Sequence, residues 1–107
     1  MSTIRPTTPA DRWLKQGEML TRLKKSQDLA NPGTWMSHYR NSLKSEYGFS
    51  ERSEQLCRQG WQLWTFALDA GYREIAEDLL DAYPHVNDFV DALKRLKIVI
   101  RQREMAA

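Results

Sequence analysis

The residues from 51 to 70 carry so many apolar side chains at helical spacing that they constrain the fold more than any other segment. At 100° per residue these side chains form an arc about 160° wide, and its members are Leu56, Cys57, Gly60, Trp61, Leu63, Trp64, Ala67 and Leu68. A helix this apolar contacts more than one neighbour. Gly60 lies in the middle of the arc, where a missing side chain lets another helix approach closely. We therefore expect this helix at the centre of the core.

Two helices are predicted before this central helix. The first covers residues 9–30, with Thr8 as its cap and Pro9 at the first helical position. Its apolar row is thin and consists of Trp13, Leu20 and Leu23, with Met19 beside it. The second covers residues 35–47, and Gly48 is placed to end it in the left-handed conformation.

A fourth helix is predicted directly after the central one. Gly71 ends the central helix, and the amphipathic pattern of residues 72–83 begins at the next residue. Because the link is so short, the two helices form a tight helical hairpin. We expect four side chains to be buried between them, namely Trp64, Ala67, Ile75 and Leu79.

A fifth helix is predicted over residues 88–104, after Pro84. Its apolar row has three- and four-residue spacing and consists of Phe89, Leu93, Leu96 and Ile100. The run 98–100, Ile-Val-Ile, also favours a strand, which is the alternative for this segment. The sequence therefore predicts an all-α, compact bundle of about five helices, with residues 1–7 as a flexible arm and residues 8–107 as a single helical domain.

Composition and cysteine content indicate a soluble protein of the cytoplasm. The start of the chain lacks the apolar stretch of a secretory signal. No window approaches the roughly 18–20 apolar residues that cross a bilayer, so we expect no membrane partner. Cys57 is the single cysteine, which rules out an intrachain disulfide and favours a reducing compartment.

Charge is unevenly distributed along the chain. The net charge is +2, yet residues 61–91 carry one basic and seven acidic side chains, whereas residues 92–107 carry five basic side chains and one acidic one. This polarity either draws the basic ends around the acidic middle or marks two binding surfaces.

The sequence lacks the patterns of catalytic, cofactor and metal sites. It contains no phosphate-binding GxxxxGK[ST] loop, no GxGxxG, no HExxH and no Cys-x-x-Cys. His38 and His85 are far apart, and neither has a second ligand at metal spacing. Cys57 lies on the apolar arc, where burial keeps a thiol neutral, so packing is favoured over nucleophilic catalysis. We expect no enzyme activity, no cofactor, no metal ion and no small-molecule substrate.

Two features predict contacts with another protein or with a second copy. The polar side of the fourth helix carries a carboxylate cluster, consisting of Glu74, Glu77, Asp78 and Asp81. It is either a solvated helix face or a docking surface for a basic partner. Phe66 and Ile98 lie outside the main apolar rows of their helices, and each is either a single exposed apolar side chain or a contact point in an interface.

The fifth helix also carries a row of cations. Lys94, Lys97 and Arg101 share one side of it at three- and four-residue spacing. Such a row can follow the phosphates of a nucleic acid. Cations near a helix C-terminus also complement the helix dipole, and a solvated face or a protein-docking face are the alternatives.

Residues 67–87, with the sequence ALDAGYREIAEDLLDAYPHVN, resemble the helical part of one ankyrin repeat. The matching positions are Ala67, Gly71, Glu74, Ile75, Leu79, Leu80, Val86 and Asn87. The likeness implies protein recognition. It covers about a fifth of the chain, and a second copy at a 33-residue offset is missing, whereas stacked repeats need about three units.

The sequence therefore predicts a small protein-interaction or regulatory module, with self-association as one form of it. The prediction rests on the absence of catalytic motifs, the polarised charge, and the apolar residues that lie outside the main apolar rows. A nucleic-acid-associated regulator that uses the basic fifth helix is the alternative.

Overall fold

The computed structural model describes residues 9–106, and side chains from residue 11 onward. It contains five helical segments, which we number in chain order: α1 Pro9–Ala30, α2 residues 35–47, α3 Glu51–Asp69, α4 Arg73–Ala82 and α5 Val86–Ala106. Within α2, Trp35–His38 and Lys44–Tyr47 are α-helical and flank a π-helical turn at Tyr39–Leu43. Residues 9–106 contain no strand. The all-α bundle is confirmed, and the arm predicted at residues 1–7 and the cap at Thr8 lie outside the described residues.

The central position of α3 is confirmed. Its most extensive contacts are with α1 on one side and α5 on the other. The ring of Phe89, which has no exposed surface, lies 5.0 Å from the ring of Trp13 and 6.1 Å from that of Trp64. A Cβ atom at Gly60 would lie 3.1 Å from the Trp13 ring and 3.3 Å from a methyl group of Val90, so the predicted close approach at this glycine is also confirmed.

The first helix contributes more to the core than its thin apolar row predicts. A Cβ atom at Gly17 would lie 2.2 Å from the carbonyl oxygen of Cys57, so α1 and α3 meet backbone to backbone at this point. Leu14 is buried beside it. Met19 and Leu23, which the pattern placed in the core, are 47% and 38% exposed, because the helix turns them away from α3.

A buried polar network attaches α2 to α3. The carboxylate of Glu54, which has no exposed surface, accepts a hydrogen bond from Trp35 Nε1 at 2.7 Å and a two-pronged contact from the Arg58 guanidinium. The guanidinium of Arg58 also lies 5.8 Å from the centre of the Trp35 ring. The hydroxyl of Tyr39 donates to the carbonyl oxygen of Phe49 at 2.7 Å. Every buried polar group here has a partner, as a stable core requires.

The hairpin of α3 and α4 closes through Gly71, as predicted. Its φ is +88°, and the amides of Gly71 and Tyr72 donate to the carbonyl oxygens of Leu68 and Ala67, which is a Schellman motif. The predicted burial of Ile75, however, is wrong, because this side chain is 45% exposed. Leu79 is half-buried rather than buried. The short α4 contacts α1, α3 and α5; its buried side chains are Ala76 and Leu80, and Leu79 packs against the core partly buried.

The last segment is helical throughout, so the strand alternative at residues 98–100 is excluded. All four side chains of its predicted apolar row are at most 8% exposed. The helix begins two residues earlier than predicted, at Val86. Within residues 9–106, no helix combines the length and apolarity that crossing a membrane requires.

Candidate binding surface on the last helix

Two sets of residues that the sequence predicted separately come together on α5. Phe66 projects from α3 towards α5 and is half-buried there. The ammonium nitrogen of Lys97 lies 5.0 Å from the centre of its ring, and the guanidinium carbon of Arg101 lies 6.0 Å from it. Both distances are within the range of a cation–π contact. One aromatic ring therefore holds two cations side by side.

The exposed apolar residue Ile98 lies beside these two cations. Its side chain is 57% exposed, and Lys94 precedes it by one helical turn and is also exposed. We call the set Phe66, Lys94, Lys97, Ile98 and Arg101 the α5 surface. Of the two apolar residues that were predicted as contact points, Ile98 is open to solvent, whereas Phe66 is partly covered by the two cations.

The cations of α5 are not neutralised by neighbouring carboxylates. None of its five basic side chains forms an ion pair with another residue of the range 9–106. On α1, by contrast, Arg22 pairs with Glu18 at 2.7 Å and Lys24 with Asp28 at 2.6 Å. The α5 surface thus combines unpaired positive charge with an exposed apolar side chain.

A further aromatic–cation pair, which sequence reasoning missed, lies on the other side of α5. The Arg103 guanidinium lies 5.9 Å from the centre of the Tyr72 ring, and its Nη1 donates to the Tyr72 hydroxyl at 3.3 Å. The two residues are 31 positions apart, so helical spacing gives no signal for the contact. The pair joins the C-terminal part of α5 to Tyr72, the residue before α4.

The four carboxylates of α4 lie on its outer side and do not form a compact cluster. Glu74, Asp78 and Asp81 are exposed. Glu77 is half-buried and pairs loosely with Arg73, at 3.6 Å. Residues 9–106 contain no group of three or more His, Cys, Asp or Glu side chains that could hold a metal ion.

The thiol of Cys57 is buried, as its place on the apolar arc predicts. Its exposure is 1%. Burial, and secondarily the negative charge of Glu54, raises the pKa of Cys57 to about 11. A thiol with this pKa is protonated at neutral pH and is a poor nucleophile.

Comparison with known proteins found no match: no family model, no curated protein and no solved structure matches the chain.

Proposed function

We propose that this chain is a non-catalytic protein-interaction module that binds an acidic protein partner through the α5 surface. The observation that carries the proposal is the contact of Lys97 and Arg101 with one ring, Phe66. Holding both cations on a ring lowers the side-chain entropy that binding would cost.

The exposed Ile98 supports a protein partner rather than a phosphate backbone. Interfaces between proteins combine apolar with charged side chains, and Ile98, at 57% exposure, lies between Lys94 and Arg101, one helical turn from each. A partner of matching chemistry has an apolar side chain flanked by carboxylates. A cytoplasmic location is part of the proposal and rests on the single, unpaired cysteine.

The test is capture from native lysate by the immobilised chain, with and without nuclease. We expect captured protein to resist nuclease and to be lost when Phe66→Ser and Ile98→Ser are combined. The matched control combines Leu29→Ser with Met36→Ser, which removes two apolar side chains that are 82% and 43% exposed elsewhere. Equal capture by both double variants would refute the proposal.

A second candidate function, association with nucleic acid, is favoured by the five unpaired cations of α5. Lys94, Lys97 and Arg101 would then contact successive phosphates. Loss of captured material on nuclease treatment would favour this candidate.

A further inference from the structure

The helix α5 carries two rows of side chains with the same spacing. The buried row consists of Phe89, Leu93, Leu96 and Ile100, and a second row, five residues further along at every position, consists of Lys94, Ile98, Arg101 and Met105. At 100° per residue the second row lies about 140° around the helix from the first. All four of its members are exposed, Met105 at 86%. Alternating four- and three-residue steps are the spacing with which one helix packs along another.

The outer side of α4 repeats part of this pattern with the opposite charge. Ile75, Asp78 and Ala82 follow one another at steps of three and four residues, as do Ile98, Arg101 and Met105. All three are exposed. Asp78, like Arg101, forms no ion pair with another described residue. Each helix therefore presents an apolar–charged–apolar row, acidic on α4 and basic on α5.

The two rows also match in length. The α4 row from Ile75 to Ala82 and the α5 stretch from Ile98 to Met105 each cover seven residue steps, or about 10 Å at 1.5 Å per residue. Pairing of two α5 helices would instead bring like charges together, which opposes association. Charge and spacing therefore favour the acidic row of α4 as the partner of the α5 row.

We propose that the α5 row of one molecule packs against the α4 row of a second copy of this chain. The inference rests on the proposed function, since it names a partner for the α5 surface. Arg103, which contacts Tyr72 beside α4, lies about 170° around α5 from the exposed row. The row therefore faces away from the molecule's own α4. The interface joins two different rows, so it is heterologous and the proposed association runs head to tail.

The contact joins the ten-residue α4 to one exposed row of α5, so the interface is small and the association weak. Sedimentation of the whole chain from about 10 μM to about 1 mM should show an average mass that rises without stopping at the dimer. The rise should be smaller at about 0.5 M salt than at about 0.05 M, because salt screens exposed charges.

Two one-sided variants test the arrangement. One carries Ile98→Gln and Arg101→Gln, which disables the α5 row, and the other carries Ile75→Gln and Asp78→Gln, which disables the α4 row. Each alone should associate at least tenfold more weakly than the wild type. Mixed in equal amounts they should form a dimer and nothing larger, because each supplies the row that the other lacks. Lys25→Gln with Leu29→Gln, a matched pair of exposed positions on α1, should change nothing.

A wild type that stays monomeric at 1 mM in low salt overturns the inference, and so does a mixture that forms no dimer. The proposed function is tested independently of this inference. If the wild type stays monomeric, and the α4 variant captures foreign protein as the wild type does while the α5 variant does not, the α5 surface binds another protein and only the second-copy inference is lost. If neither the wild type nor the α4 variant captures protein, the proposed function is lost.

Discussion

The ammonium nitrogen of Lys97 on α5 lies 5.0 Å from the centre of the Phe66 ring on α3. Both side chains are half-buried, so the contact is only partly screened by water. It connects the helix at the centre of the core to the exposed face of the last helix. The proposed binding surface is consequently part of the packed structure, with one cation held in a defined position.

This contact should be measurable as a coupling energy. Cation–π pairs at exposed sites contribute about 0.5–1 kcal/mol. In a double-mutant cycle with Phe66→Leu and Lys97→Gln, we expect a coupling in this range, measured by urea unfolding. Phe66→Leu with Lys94→Gln is the control, and we expect its effects to be additive. A cycle at Lys97 that is equally additive would show that the ring does not hold the cation.

Nucleic-acid binding through α5, if it occurs, should be weak and strongly salt-dependent. Three phosphate contacts give a log–log slope near −3 on duplex DNA, at about −0.9 per contact. The triple change Lys94→Gln, Lys97→Gln and Arg101→Gln should flatten the slope without loss of helicity, because Gln has nearly the same helix propensity. We expect little binding at physiological salt and no sequence preference. Tight, salt-resistant, sequence-selective binding would make nucleic acid the primary partner.

A methyl group at Gly17 should destabilise the fold although it favours the helix. Ala is preferred to Gly in a helix by about 1 kcal/mol. The added Cβ would nevertheless lie 2.2 Å from the backbone oxygen of Cys57, so α1 and α3 must separate. We expect Gly17→Ala to lower the free energy of unfolding by about 1–3 kcal/mol. Ser26→Ala, on the exposed side of α1, should leave it unchanged or raise it slightly. A stabilised Gly17→Ala protein would contradict the α1–α3 packing.

The two adjacent leucines of α4 should differ in their contribution to stability. Leu80 is 2% exposed, and its replacement by Ala should cost about 2–5 kcal/mol, as for other buried leucines. Leu79 is half-buried, and Leu79→Ala should cost about 1 kcal/mol. Thermal or urea unfolding of both variants measures the difference. A larger loss at Leu79 would instead support the burial that the sequence pattern predicts.

The helices could be predicted from the sequence because the residues that end a helix and the spacing of its apolar side chains are local properties. Gly71 ends α3 as its residue type predicts, and Ser50, a residue type that favours helix N-caps, begins it by accepting a hydrogen bond from the Ser53 amide. The importance of α1 cannot be predicted from local sequence, because glycine has low helix propensity and the role of Gly17 depends on the backbone of Cys57, which lies against it. Glu54 gives no sign of burial, because its partner Trp35 is 19 residues away.

The candidate site was predicted as separate parts. Lys97 and Arg101 share a face by spacing, whereas their contact with Phe66 depends on how α3 and α5 cross. The apolar side of α4 predicts a core position for Ile75, yet only Ala76 and Leu80 of that helix are buried and Ile75 is exposed. The spacing of apolar residues predicts which face of a helix is turned towards the core, but it does not predict which part of that face the neighbouring helices cover.

The most direct test of the central claim is to identify the molecules that contact Ile98 in native lysate. A photoreactive benzoylphenylalanine in place of Ile98 should form adducts with protein after irradiation of native lysate, and nuclease treatment should not remove them. The same group in place of Leu29, which is 82% exposed on α1, should form far fewer. Adducts with nucleic acid at position 98, or equal protein adducts at both positions, would contradict the proposal that the α5 surface binds protein.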